Sequence, residues 1–148
     1  MEPPPLRRSL LVALFVTIAW AASAFAVAGL IAVLLDRDPV QTPGGPVFLG
    51  LIGLAVAGIA VWLIVGFTAR ARAPWVGAIA AAAAVHLIVS TLALTASFPL
   101  FVEQAASPFV IAAALLAAAA VVGTWGMLRR PPKGRPPKTG LSGDDGDS

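Results

Sequence analysis

Four long stretches of the chain contain no Asp, Glu, Lys or Arg: residues 9–35, 47–69, 75–97 and 109–128, which are 27, 23, 23 and 20 residues long. A helix needs roughly 20 apolar residues to cross ~30 Å of hydrocarbon, and each run meets that length. Helices on the surface of soluble domains interleave polar positions with a period of ~3.6 residues; these runs do not. The expected fold is therefore all-α: a polytopic membrane protein with a four-transmembrane-helix bundle over residues 9–128. Composition agrees, since charged residues make up 11% of the 148 against about 25% in a soluble domain.

The charges lie between the runs and predict an orientation. Arg7 and Arg8 precede the first run, Arg70 and Arg72 separate the second from the third, and Arg129, Arg130, Lys133, Arg135 and Lys138 follow the fourth. The other two connections hold Arg37 alone, beside Asp36, Asp38 and Glu103. Cytoplasmic connections carry the excess of Lys and Arg, so segment 1–8 and the tail are both expected in the cytoplasm. Four crossings, an even number, require the termini to share a side. Arg70, Arg72, Trp75, Trp125, Arg129 and Arg130 are expected to anchor the bundle at that membrane surface. The basic balance, net charge +3, is thereby assigned to topology and not to nucleic acid.

Local chemistry marks the ends of the runs. "DRDPVQTPGGP" (36–46) is a polar turn unsuited to continue a helix. Pro74 is placed to start the third helix, and Ser107-Pro108 reads as an N-cap followed by the first helical residue of the fourth. Pro99 is expected to end the third helix, leaving "SFPLFVEQAASP" (97–108) as an apolar loop in the headgroup layer. The start, "LRRSLLVALFVTIAWAASAFA", has features of a cleaved signal. Its apolar run continues through Leu35, however, well past the ~7–15 residues of a signal core, so it is read as a retained helix. The tail, 129–148, is Pro/Gly-rich with a basic and an acidic half, and disorder is expected.

Without a hydrophobic drive between helices in lipid, small residues are what let spans approach closely. Gly50, Gly58 and Gly66 recur every eight residues in the second run, with Gly53 beside them, and this series is the expected helix-packing groove. The chemistry available inside the spans is sparse. The chain has no cysteine and one histidine, and the spans hold no acid. His86 is their sole ionisable side chain, with Ser90 one turn on and Ser23 at similar depth, and these three form the candidate intramembrane polar site. A catalytic dyad or a metal site needs further ligands or a paired base. No enzyme activity and no cofactor are therefore expected. The simplest role for His86 is structural, bonding Ser23, the Trp20 or Trp62 indole, or a carbonyl.

The stretches "LLDRDPV" after the first run and "ASPFVIAAALLAA" at the start of the fourth resemble those of small uncharacterised four-helix membrane proteins of high-GC Gram-positive bacteria. Arg outnumbers Lys eight to two and Ala is the commonest residue, a bias that suits a GC-rich genome. The resemblance implies a bacterial plasma-membrane location and carries no activity. The expected partners are the lipid bilayer and a membrane-protein partner or second copy, the expected role a structural or accessory subunit. The alternative is a small self-associating channel or transporter with His86 in its pore.

Overall fold

The computed structural model describes residues 6–36 and 47–129, and the described residues form five helices with no strand. They are α1 (Leu6–Leu35), α2 (Val47–Thr68), α3 (Trp75–Ala96), α4 (Phe98–Ala105) and α5 (Pro108–Leu128). Four of them, α1, α2, α3 and α5, are long and apolar enough to cross a membrane. The expected disorder of the tail beyond Arg129, and the turn at 37–46, lie outside the described residues.

The helix ends follow from local chemistry. Asp36 leaves α1 in the left-handed region, φ 46°, which the short polar Asp side chain tolerates better than most. α2 tightens into a turn in which Arg70 N–H donates to Phe67 O and Ala71 N–H to Thr68 O. Pro74 then leads into α3 with its ring already holding a helical φ.

At Ser97 the structure corrects the expected loop. Ser97 is extended, φ −166°, and its N–H closes α3 on Ala93 O. Its hydroxyl accepts from Leu100 N–H at 3.3 Å. One residue therefore ends α3 and caps α4, and Pro99 sits in the first turn of a new helix, where its missing N–H costs nothing. Ser107 occupies the expected N-cap of α5, followed by Pro108, but its side chain makes no capping bond.

The four long helices run up, down, up and down, and each packs against its antiparallel neighbours: α1 with α2, α2 with α3, α3 with α5, and α5 with α1. α2 and α5 also touch across the diagonal, so the ring is flattened. α4 lies against α3. Apart from Trp20, the core consists of small side chains, with Ala13, Ala57, Val61, Val65, Ala81, Val85, Ala117 and Val121 buried. Large apolar side chains face out, Phe15 at 71% and Met127 at 74% exposure among them. In water such a surface would aggregate. In hydrocarbon it is solvated, and small residues inside let the backbones come close.

Candidate functional site

The histidine region takes its geometry from α3. Val85 is buried in the core, and one residue is about 100° of helix rotation, so His86 is turned to the flank of the bundle and is half-buried. Ser90, one turn further, is 4% exposed, and its hydroxyl has no hydrogen-bond partner. Gly77 and Leu92 of α3 are the positions that meet α2, at Thr68 and Gly53. Ser90 lies on the opposite side of α3 by helix rotation. The structure thus keeps His86 and Ser90 on one flank. Ser23 is not brought to them, because it is exposed on α1, diagonal to α3 in the ring.

The indoles suggested as partners for His86 are engaged elsewhere. Trp20 Nε1 donates to Ala113 O of α5 at 3.0 Å, and Trp62 Nε1 donates to Leu10 O of α1 at 3.0 Å. At the other end of α5, Trp125 Nε1 donates to Ala71 O in the α2–α3 turn at 3.1 Å. Arg129 donates to the same carbonyl, with its guanidinium 4.5 Å from the centre of the Trp125 ring. Three tryptophans therefore tie α1 to α5, α2 to α1, and α5 to the α2–α3 turn. The sequence held a usable signal: Trp20 and Trp62 lie well inside apolar runs instead of at the interface, and a buried indole N–H needs an acceptor.

Among the expected anchors, Arg70, Arg72 and Trp75 are exposed near the α2–α3 turn. Trp125 is half-buried and Arg129 exposed, both bonded to the α2–α3 turn at the same end of the bundle, and Arg130 lies outside the described residues. Replacing Trp125 by Phe keeps an aromatic ring but removes the donor to Ala71. The expected loss is about 1 kcal/mol, the range of interhelical hydrogen bonds in membranes, read as a lowered thermal midpoint in detergent.

The hydroxyls of Thr17 and Thr124 bond back to Ala13 O and Ala120 O, four residues earlier on their own helices. That of Thr95 bonds to Leu92 O, three residues back. These bonds supply partners without building a polar path.

The glycine series of α2 does not form one groove. A Cβ on Gly66 would meet Leu10 Cδ2 at 2.8 Å and one on Gly58 would meet Thr17 Cγ2 at 3.8 Å, both on α1. A Cβ on Gly53 would meet Leu92 Cδ1 of α3 at 3.4 Å. One on Gly50 would meet nothing within 4 Å. Eight residues advance the helix face by about 80°, so an eight-residue spacing drifts from one neighbour toward another. The tightest close approach is Gly77 of α3, where a Cβ would overlap the Thr68 side chain, 2.8 Å from its Cβ.

Gly50 borders a cavity of about 190 Å³ in the half of the bundle that carries α4. Its walls come from α1, α2, α3 and α5, and Trp20 and Ala113 are among its lining residues. α1 has no buried residue beyond Trp20, so this half of the helix is loosely held. Among the described residues no three of His, Asp and Glu gather as metal ligands would. The chain matches no protein-family model, no curated protein and no solved structure.

Proposed function

We propose that the chain is a multi-pass protein of a bacterial plasma membrane with both termini cytoplasmic, acting as a non-enzymatic structural or accessory subunit through helix and loop contacts. One observation carries this reading. The Trp20 and Trp62 indoles are bonded to carbonyls of neighbouring helices and the Thr17 and Thr124 hydroxyls to their own helices, which fastens the bundle and leaves a core mostly of Ala and Val unsuited to water or ions. The nine basic residues on one side of the spans against one on the other support the orientation.

A second reading, a small channel formed by self-association, draws on a different observation. The buried Ser90 hydroxyl has no partner, and His86 stands one turn away on the same flank, where a second copy would bring further polar groups.

Proton flux into liposomes containing the purified protein separates the two. The subunit reading expects no flux above empty vesicles for wild type and His86→Ala alike, and a second protein in fixed ratio after mild-detergent purification. A pH-dependent flux that His86→Ala abolishes would overturn it in favour of the channel.

A further inference from the structure

The cavity in the α4 half of the bundle has a shape and a lining that select an occupant. Its floor is the Trp20–Ala113 hydrogen bond, and Ala24, Ala28, Gly50 and Ala57 are among the residues of its walls. From Trp20 to Ala28 is eight residues of α1, a depth of about 12 Å at ~1.5 Å per residue. The mouth lies toward the ends of α1 and α2, where Gly50 is exposed and Phe25 is 63% exposed. Phe25 belongs both to its lining and to the exposed apolar surface of the bundle, so the cavity continues the surface that meets hydrocarbon.

Water does not suit the space, because a buried water needs 2–4 polar partners and the polar pair at the floor is already bonded to itself. A transmembrane helix, ~10 Å across, is too wide. A flexible hydrocarbon chain fits: about 190 Å³ exceeds the ~150 Å³ of a dry apolar cavity that holds a benzene ring.

We infer that this cavity is a lateral binding site for one acyl chain of a bilayer lipid, entering between α1 and α2 and ending against Trp20. The inference rests on the membrane reading above; on the proposed orientation the chain comes from the outer leaflet. Trp20 is 4% exposed, so bulk lipid does not reach it and a chain inside the cavity does.

The test is tryptophan fluorescence in phosphatidylcholine vesicles whose acyl chains are brominated near the terminal methyl, in a Trp75→Phe background that removes the 66%-exposed indole. Bromine quenches on contact, and the Trp20 contribution is the difference from a matched Trp20→Phe protein. The expected result is a quenched Trp20 whose quenching falls at least twofold in Gly50→Leu, which fills the mouth from α2. Ala28→Leu, filling it from α1, gives the same result by a separate route should Gly50→Leu fold poorly. Absence of Trp20 quenching, or quenching unchanged in both filled variants, overturns the acyl-chain site while leaving the membrane reading intact. Protein that fails to float with the vesicles overturns both.

Discussion

Gly77→Ala is expected to destabilise the bundle by about 2 kcal/mol, and Gly77→Leu by more, because the added atoms land on Thr68 in the neighbouring helix. Overpacking a filled site costs typically about 1–3 kcal/mol. Intrinsic propensity acts in the opposite direction, favouring Ala over Gly within a helix by up to ~1 kcal/mol, so the sign of the change reports which effect wins. The overlap involves Thr68 Cβ at 2.8 Å as well as the outer atoms of that side chain. Rotating Thr68 therefore does not relieve it, and the α2 and α3 backbones must move apart. Thr68→Ala removes the outer atoms but not Cβ, so the double variant should recover part of the loss. Gly123→Ala is the matched control, since a Cβ there has nothing within 4 Å, and it should be neutral or slightly stabilising. Thermal unfolding in one detergent, followed by circular dichroism, orders the four variants against wild type. A Gly77→Ala midpoint equal to or above wild type would show that the α2–α3 contact is looser than described.

Trp20→Ala is expected to cost about 3 kcal/mol, the low end of the ~3–5 typical for removing a buried large aromatic. The low end applies because the indole already borders the cavity. Trp20→Phe should cost about 1 kcal/mol, close to the value of the lost bond to Ala113 alone. The larger consequence is local. Ser9, Ala13, Thr17 and Trp20 are the buried residues of α1, and Trp20 is the last of them along the helix. Without it the hold on α1 ends at Thr17, a turn earlier. The chain has no native cysteine, so single cysteines at Ala13 and Ala24 give a clean comparison in detergent. Trp20→Ala should raise thiol labelling at Ala24 severalfold while leaving Ala13 protected. Equal labelling at both positions would place the hold on α1 elsewhere.

The four long helices were legible in the sequence because lipid imposes a length on each charge-free run, and Pro74 and Ser107-Pro108 mark their starts by chemistry that acts within one turn. Pro99 misleads for an equally local reason. A proline disfavours a continuing helix but suits the first turn of a new one, and the choice is made by Ser97, whose hydroxyl reaches Leu100 N–H. The role of each glycine was not legible. Gly50, Gly53, Gly66 and Gly77 look alike in sequence, yet they border a cavity, a leucine of α3, a leucine of α1 and a threonine of α2, respectively. What faces a glycine is decided by how helices rotate against one another, and an Ala-rich surface encodes that weakly. For the candidate site, the pairing of His86 with Ser90 followed from helix periodicity. The separation of Ser23 required knowing that α1 and α3 sit on opposite corners.

That arrangement of corners also orders events during synthesis. The contacts of α1 with α2 and of α2 with α3 join neighbours in the chain and can form as each hairpin emerges. Those of α5 with α1 and with the α2–α3 turn wait for the last span. Until then the Trp20 indole lacks Ala113, and Ala71 O lacks both Trp125 and Arg129. A nascent chain halted before α5 leaves unclosed the sides of α1 and α3 that the last span covers, so the ring is completed only by its final helix.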